Sequence, residues 1–528
     1  MIKTDVLLPI GYTESDIKTA ICQRLPIESS EIKDTRILRQ SLDISDKSAP
    51  IYRVSVGISL SDEREGGLLK MRKKVFPAED FSLSVPRFFC ESRPIVVGSG
   101  PCGLFAALIL AEAGARPILL ERGMNVEDRR RTVDIFHKLG ILDTESNVQF
   151  GEGGAGTYSD GKLKVGGMDK YKMKVLCEFC LAGAPGEILY TVGAHLGTDK
   201  LSDIVRSIRE KIISLGGEVI FGAKMTDFSV KDGELESVSY SKDGDTVTLK
   251  TDSMILAIGH SAKDSLELLN EKGVKMEARG FGIGVRIEHP REYVNELVYG
   301  KNYDSRLGSA SYHLVTHLEG GRSVYSFCMC PGGTVVAAAS EEGGIVTNGM
   351  SEFARDGRNS NAAFLVSVTP NDFGSDDALA GVRLQRKIEG RAFTVGGCDY
   401  KAPSIRLDDF LAHKPLSSSF PVEPTYPRGV ISASPDEYLP DYITQSLRAS
   451  ISDFDAWMPG FYLPEATVTG AETRSTSPVR ITRDSGYESV SIRGIYPSGE
   501  GAGYSGGIVS SAADGIRTAL ALIEKKRA

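Results

Sequence analysis

The sequence predicts an α/β protein whose central domain is built on a parallel sheet, with a small N-terminal α+β domain and an inserted α+β substrate or cap domain. Three observations support this fold class: a strand–glycine turn–helix–strand unit near residue 100, a second glycine turn before the last helix, and a long region of short strand-like runs between them. A chain of 528 residues is too long for one hydrophobic core, so two or three domains are expected.

Composition and pattern divide the chain into four parts. They are a small α+β domain at 1–60, a linker or arm at 61–92, a discontinuous dinucleotide-binding domain at 93–275 plus 465–528, and the inserted substrate or cap domain at 276–464. In the first part, a helix is predicted to begin at Thr13, with Asp16 placed for a capping box. The linker is charged and interrupted by proline, and we interpret its basic patch, 70–74, as a solvated face rather than a nucleic-acid site.

The first glycine turn has the residues that a dinucleotide site needs. The apolar run 95–97 predicts a buried parallel strand, Gly98 allows a tight turn, and Gly100 lets the backbone approach a pyrophosphate. Gly103 lets the following helix pack closely on the strand, and Glu121 follows the next strand, where a carboxylate can accept hydrogen bonds from a ribose. Glu121, as an acid at this position, favours NAD or FAD over NADP as the ligand. The alternative interpretation of the segment is a glycine-rich turn in an α/β domain that binds no ligand.

Composition and charge argue against several classes of protein. Glu112 and Arg116 interrupt the apolar run after the turn, so no stretch reaches the roughly 20 apolar residues of a membrane span. The net charge of −8 argues against nucleic acid or an anionic membrane as the main partner. The N-terminus lacks the apolar core of a signal peptide, and the eight cysteines form no disulfide framework. We therefore expect reduced thiols and a cytoplasmic location.

Three further segments are predicted to complete the domain or to serve the same ligand. The loop 149–167 is rich in glycine but is followed by no helical pattern, so we interpret it as backbone lying close to a flat ligand. A hairpin with an Asp243-Gly244 turn is followed by a strand that ends at 257–259, as in a small meander returning to the sheet. The segment 498–507 repeats the glycine pattern with a strand before it and a helix after it. Both glycine turns are therefore expected to meet in one crevice at the carboxyl ends of the strands.

At this point the chain resembles FAD-dependent oxidoreductases that have the glutathione-reductase type of FAD domain. The likeness lies in GSGPCG through LLERG (98–123), the strand around Met225, DSMILAIGH (252–260) and YPSGEGAGYSGGI (496–508). A narrower resemblance, to a bacterial family of FAD-dependent dehydrogenases sometimes labelled NAD-utilizing dehydrogenases, lies in FGEGGAGTYSDGKL, FGIGVRIEHP, YSFCMCPGG, ETRSTSPVRI and GEGAGYSGGI. The resemblance implies a Rossmann-like, three-layer ββα FAD-binding domain.

The resemblance also implies roles for individual residues. The first turn would hold the FAD pyrophosphate, Glu121 the adenosine ribose, and Met225 the adenine edge. Glu500 stands where the family commonly has Asp, and the helix that begins near Ile508 would point its N-terminus at the flavin. The predicted cofactor-binding residues are Gly98, Gly100, Pro101, Cys102, Gly103, Glu121, Arg122, Gly156, Thr157, Met225, Ala257, Gly259, Gly499, Glu500, Gly506, Gly507 and Ile508.

Four residues are candidates for the chemistry. Tyr158 is a polar tip of the glycine loop, and His289, at the end of a strand, has a pKa range suited to acid–base work. Cys330 lies where a strand meets a glycine turn, and Arg474 could pair with an anionic substrate or the flavin. The alternatives are packing for the cysteine and a loop salt bridge for the arginine.

A C-x-x-C pair, Cys177 and Cys180, lies in a helix-like stretch. A redox dithiol is one interpretation, and buried small hydrophobic residues are the favoured one. No second C-x-x-C accompanies it, so no metal site is predicted.

The sequence therefore predicts an FAD-dependent oxidoreductase that transfers hydride between a small-molecule substrate, or NAD(P)H as a transient reductant, and flavin N5. Two alternatives stay open: a flavin-dependent enzyme that modifies RNA, and an NAD-binding dehydrogenase without flavin. The acidic composition argues against the first, and the C-terminal glycine segment argues against the second.

Overall fold

The N-terminal unit is an antiparallel sheet covered by a helix. The computed structural model describes residues 1–70, 74–163, 166–414, 417 and 419–527. The elements of the unit are β1 (Ile2–Pro9), α1 (Glu14–Arg24), β2 (Asp34–Asp43), β3 (Ile51–Ser59), α2 (Asp62–Leu69) and β4 (Phe76–Pro77). The strand order is β2-β3-β1-β4, and α1 packs on the sheet through Ile17 and Ile21. Thr13 and Asp16 form the predicted capping box.

The unit extends further along the chain than the boundary at residue 60 predicts. Strand β4 pairs with β1, and Leu68 of α2 and Val75 lie in the core of this unit. The first part of the predicted linker is therefore structured, because its few apolar residues complete that core. The predicted basic patch includes 71–73, which lie outside the described residues.

The central domain is built on a parallel sheet with strand order β23-β11-β5-β6-β7. Its elements up to the insertion are β5 (Ile95–Val97), α3 (Pro101–Ala113), β6 (Ile118–Leu120), α4 (Val126–Leu139), α5 (Lys170–Leu181), α6 (Gly197–Ser214), β7 (Glu218–Ile220), β8 (Lys224–Lys231), β9 (Glu234–Lys242), β10 (Asp245–Lys250), β11 (Met254–Leu256) and α7 (Lys263–Glu271). The chain returns after the insertion with β23 (Ile495–Pro497) and α12 (Ile508–Arg527). Both segments therefore contribute strands to one sheet.

Three layers make up this domain. Side chains of successive strand residues point to opposite faces of a sheet. Val96 accordingly packs with α3, α5, α6 and α12 on one face, while Ile95 and Val97 pack against the antiparallel sheet β10-β9-β8 on the other. The order of helices, parallel sheet and antiparallel sheet confirms the predicted Rossmann-like ββα arrangement, and the turn at Asp243-Gly244 joins β9 to β10.

The inserted domain is organised around a seven-stranded sheet of order β14-β15-β18-β13-β21-β19-β20. Its elements are β12 (Met276–Ala278), β13 (Phe281–Pro290), α8 (Arg291–Tyr299), β14 (Val315–His317), β15 (Ser323–Cys330), β16 (Thr334–Ala337), β17 (Thr347–Met350), β18 (Asn359–Val368), α9 (Ala380–Val395), β19 (Ala402–Arg406), α10 (Leu407–Ala412), β20 (Val430–Ser432), α11 (Asp441–Trp457), β21 (Thr467–Glu472) and β22 (Val479–Ile481). Strand β21 is central to the sheet, so the domain continues beyond the predicted limit at residue 464.

Helix α3 is buried along almost its whole length between the parallel sheet and α12. The two helices approach so closely that a Cβ added to Gly515 would lie 2.1 Å from the carbonyl oxygen of Cys102. This approach brings the last helix of the chain beside the first helix of the domain. No helix in the described part of the chain is both long enough and apolar enough to cross a membrane.

Gly515→Ala tests this packing. The added methyl group overlaps the Cys102 backbone, and overpacking of this kind costs about 1–3 kcal/mol. Gly66→Ala in α2 is the matched control, since its methyl group meets no atom within 4 Å and a helical Gly-to-Ala change is otherwise favourable. We expect thermal unfolding to show a lower Tm for Gly515→Ala and an unchanged or higher Tm for Gly66→Ala. An equal change in Tm in the two variants would contradict the close approach of α3 and α12.

Candidate active site

A cleft of about 1820 Å³, including its open mouth, lies at the carboxyl edge of the parallel sheet. It collects residues from both glycine turns, the loop 149–162 and the inserted domain. The predicted cofactor residues that line it are Gly98, Gly100, Pro101, Cys102, Glu121, Arg122, Gly156, Met225, Ala257, Gly259, Glu500, Gly506, Gly507 and Ile508. Gly103, Thr157 and Gly499 lie behind its wall.

The first turn forms a cradle that side chains would fill. Gly98 has φ +98°, and a Cβ there would lie 2.4 Å from the carbonyl oxygen of Ala257. A Cβ on Gly103 would lie 1.8 Å from the carbonyl oxygen of Gly98, so Gly103 packs beneath the turn, as its predicted role in close helix–strand packing requires. Gly100 comes close to Gly154, so the second glycine loop closes over the first.

Two helix N-termini point at this cleft. Helix α3 begins at Pro101 after the N-cap Gly100, and no side chain caps its first turn. Helix α12 begins at Ile508 after the exposed pair Gly506 and Gly507. Free N–H groups and the positive end of a helix dipole stabilise phosphate and other anions. The residues present therefore fit a dinucleotide with a pyrophosphate.

The Glu121 side chain is hydrogen-bonded to three loops, at Ser99, Gly123 and Gly151. Its carboxylate accepts hydrogen bonds from Ser99 N (2.8 Å), Ser99 Oγ (2.7 Å), Gly123 N (2.8 Å) and Gly151 N (2.9 Å). A carboxylate offers about four acceptor positions, so these donors occupy its normal capacity. Glu121 thus holds both glycine loops in place, and its predicted contact with a ribose stays a prediction.

Arg122 marks one end of the cleft. Its guanidinium bonds Asp264 in a bidentate manner (2.9 and 2.9 Å) and Glu145 (2.7 Å), and it lies 4.1 Å from the centre of the Phe150 ring. Met225 lines the cleft at strand β8 and is buried. This end has an apolar wall beside a fixed guanidinium, and both groups can pack against a purine ring.

The turn after β11 adds a residue, beside the C-terminal turn, that the sequence patterns did not identify. His260 lines the cleft; its Nδ1 is 3.7 Å from Glu500 Oε1, and its buried Nε2 has no hydrogen-bond partner among the described residues. Such an atom fits a ligand that supplies the missing partner. The sequence does contain a signal for His260, because it directly follows Gly259, a predicted cofactor residue after β11. Gly499 instead donates its N–H to Asp514 (2.8 Å).

The inserted domain supplies the opposite wall. Arg474 lines the cleft, as predicted, but its guanidinium bonds Glu389 (3.0 and 2.9 Å), which also accepts from Lys263 (2.8 Å). These three side chains are almost fully buried. Because Lys263 lies on α7 and Glu389 on α9, the cluster joins the two domains. The arrangement matches the loop salt bridge more closely than a free anion-binding arginine.

Three of the predicted catalytic residues are not brought to the cleft. His289 lies in the core of the inserted domain, with Nε2 3.0 Å from the carbonyl oxygen of Phe461, and burial lowers the pKa of His289 to about 4. Tyr158 packs in a small apolar cluster beside Arg129, and burial raises its pKa. Cys330 is buried behind the cleft wall. Cys177 and Cys180 lie on α5, outside the cleft.

Comparisons with known proteins agree with a flavin site. The model of the FAD binding domain family matches 91–177, and that of the C-terminal domain of FAD-dependent proteins matches 280–475. An uncharacterized protein of Clostridium beijerinckii is 44% identical over 516 residues, which are 96% of each chain. The chain belongs to this family of FAD-dependent proteins. Membership confirms the predicted FAD cofactor and an FAD-dependent enzyme. The glutathione-reductase type of superfamily stays a prediction.

Solved structures resemble this FAD-dependent protein only distantly. A triple mutant of the flavin-dependent brominase Bmp2 is 10% identical with a TM-score of 0.36, covering 82% of this chain and 80% of that one. A geranylgeranyl bacteriochlorophyll reductase-like protein of Thermoplasma acidophilum is 11% identical with a TM-score of 0.35, covering 83% and 80%. Likeness at this level identifies neither a substrate nor a reaction.

Glu121→Gln tests the role of its carboxylate. The amide turns one acceptor into a donor that faces the N–H of Ser99 or Gly151, and an unpaired buried donor costs about 1–3 kcal/mol. We expect weaker FAD binding by flavin fluorescence titration and a lower Tm. Glu218→Gln, half-exposed and paired with Arg93, should leave both values unchanged. Unaltered FAD affinity and Tm in Glu121→Gln would contradict the account.

Glu389→Gln tests the buried cluster between the domains. Lys263 and Arg474 hold the pKa of Glu389 well below its usual value against the opposing effect of burial. Its contribution is therefore complete above the ordinary glutamate pKa of about 4.3 and is lost as the pH falls toward the folded-state value. We expect the free energy of unfolding of the variant to be about 3–5 kcal/mol lower near neutral pH. We also expect this free energy to fall less steeply as the pH is lowered.

The measurement for this cluster is urea unfolding at several pH values. Glu267→Gln is the control, because its ion pair with Arg386 is partly exposed and is worth at most about 1 kcal/mol. Equal losses in the two variants would show that the buried cluster does not stabilise the domain contact.

Proposed function

We propose that this FAD-dependent oxidoreductase transfers hydride between flavin N5 and a small organic substrate that binds against the inserted domain. The observation that carries the proposal is the shared cleft, which is lined on one side by both glycine turns and on the other by the inserted domain. A cofactor and a substrate in one cleft can react directly. Bound FAD supplies two-electron chemistry at its flavin ring.

The chain's own residues bind and orient the cofactor. The α3 N-terminus and the backbone of Gly98 and Gly100 would hold the pyrophosphate, while Arg122 and Met225 would flank the adenine. Glu500 and His260 line the cleft beside the second turn, where His260 Nε2 has a free position for a hydrogen bond. The α12 N-terminus would stabilise negative charge on a reduced flavin.

The opposite wall would select the substrate. Phe327 and Cys328 from β15, Asn348 from β17 and Ser475 line it together with Glu472. Glu472 is neutralised by the buried Arg286, with distances of 2.6 and 3.0 Å. This wall combines apolar contact with neutral hydrogen-bonding groups, which favours a small polar organic molecule over a highly charged one.

A reduced nicotinamide, NAD(P)H, is the proposed transient reductant. The sequence has no second complete dinucleotide fingerprint with an acid after it, so the nicotinamide would enter the open mouth of the same cleft rather than occupy a domain of its own. The acidic composition supports a small molecule over RNA. All eight cysteines are free thiols in the structure, which supports the proposed cytoplasmic location.

Anaerobic reduction tests the proposed function. Protein reconstituted with FAD should show flavin absorbance bands that bleach when NADH, NADPH or a member of a metabolite panel supplies two electrons. A protein without flavin bands after FAD is added and unbound FAD is removed by gel filtration would overturn the proposal, as would a bound flavin that none of these donors reduces.

Gly98→Ala and Gly183→Ala form a matched pair for the cofactor cradle. Both residues have similar left-handed φ values, +98° and +102°. The new methyl group at residue 98 would overlap Ala257, whereas that at residue 183 meets no atom within 4 Å. We expect Gly98→Ala to lose FAD and Gly183→Ala to retain it, measured as flavin absorbance per protein after gel filtration.

A further inference from the structure

Two cysteines meet at the substrate wall of the cleft. Cys328 and Cys330 lie at the end of β15; Cys328 lines the cleft, and Cys330 is buried directly behind it. The proposed hydride transfer uses neither thiol. Cys330 was the sequence candidate, and the structure shows that its neighbour two residues earlier is the one that reaches the cleft.

The backbone brings the two side chains together. Residues two apart in a regular strand have Cα atoms about 6.6 Å apart, which is near the upper limit of about 6.8 Å for a disulfide. Here the pairing of β15 with β18 shifts register between Phe327 and Cys330, and Cys328 has φ +39°. A bulge of this kind bends the strand at the two cysteines and re-aims their side chains.

The contacts of the thiols agree with this proximity. Cys330 Sγ donates a hydrogen bond to the carbonyl oxygen of Cys328, at 3.2 Å, and so lies against the backbone of Cys328. Arg286 Nη1 holds the same carbonyl at 3.2 Å. The Cys330 thiol, Lys162 and Arg286 lower the pKa of Cys328, against burial and the opposing charge of Asp160. Cys328 is therefore the more nucleophilic thiol, and Cys330 is placed to attack it.

We propose that Cys328 and Cys330 form a dithiol–disulfide couple that exchanges two electrons with FAD, and that thiols or disulfides are substrates of this cleft. The couple rests on the proposed FAD oxidoreductase function: it passes electrons between FAD and a thiol or disulfide substrate, while the hydride substrate serves the flavin in the other half of the reaction. Cys328 is the catalytic thiol that meets the substrate. Cys330 is the resolving thiol.

The chemistry balances as follows. The Cys328 thiolate attacks one sulfur of a substrate disulfide, forms a mixed disulfide and releases the first substrate thiolate. The Cys330 thiol gives its proton to the released substrate thiolate and attacks the Cys328 sulfur, which forms the internal disulfide and releases the second substrate thiolate. Two electrons from reduced FAD, together with two protons, return the internal disulfide to two thiols. The reverse direction oxidises a dithiol and reduces FAD.

The second cysteine pair provides the control. Cys177 and Cys180 lie one turn apart on α5, and neither lines the cleft. They have no access to the cofactor residues in this structure. A double variant, Cys177→Ser with Cys180→Ser, should therefore leave the redox capacity of the cleft unchanged.

Two measurements test the couple. The FAD-free protein is treated with diamide, a mild dithiol oxidant, and the peptide with residues 328 and 330 is examined by mass spectrometry for the loss of two hydrogens. The diamide-treated FAD-bound protein is then titrated with dithionite without oxygen. We expect the internal disulfide, and an uptake of two electrons more per FAD than in Cys328→Ser or Cys330→Ser. The Cys177/Cys180 double variant should match the unaltered protein.

The outcomes separate this proposal from the proposed function. An internal disulfide that is absent after diamide treatment would overturn the couple, even if either serine variant failed to fold. Equal electron uptake by the unaltered protein and the two serine variants would also overturn it, while flavin reduction would still support the oxidoreductase. A flavin that accepts no electrons would overturn the function itself.

Discussion

The parallel pairing of β23 with β11 is the constraint on which the site depends. Strand β11 also pairs with β5, so the ends of three parallel strands, at residues 97, 256 and 497, meet at one edge of the sheet. Neither glycine turn forms a complete site by itself. The buried packing of α12 on α3, with Gly515 against Cys102, secures this arrangement.

Two buried polar clusters extend the same organisation to the loops and the inserted domain. The Glu121 carboxylate satisfies backbone and hydroxyl donors from both sides of the cradle. Glu389 and Glu341 together neutralise Lys263 and Arg474 across the domain boundary. Buried charges of this kind are costly unless they are fully paired, so each cluster favours one relative position of its partners. The two clusters therefore position the glycine loops and the inserted domain around the cleft.

Local patterns predicted the parts of the fold that depend on neighbouring residues. The capping box at Thr13, the Asp243-Gly244 turn and the first glycine turn each follow from short-range geometry. His289 shows the limit: it ends a strand, yet α11 and Phe461 cover that end, and no periodicity in the sequence shows which strand ends remain open. His260 and Cys328 reach the cleft for the same kind of reason, through the packing of distant segments.

Hydrogen–deuterium exchange of the protein with and without FAD tests the central claim most directly. If both glycine turns enclose one FAD, the cofactor should slow amide exchange in 98–104 and in 499–511 together, with the same dependence on FAD concentration. Protection confined to 98–104, with unchanged exchange in 499–511, would contradict a site formed by both ends of the domain.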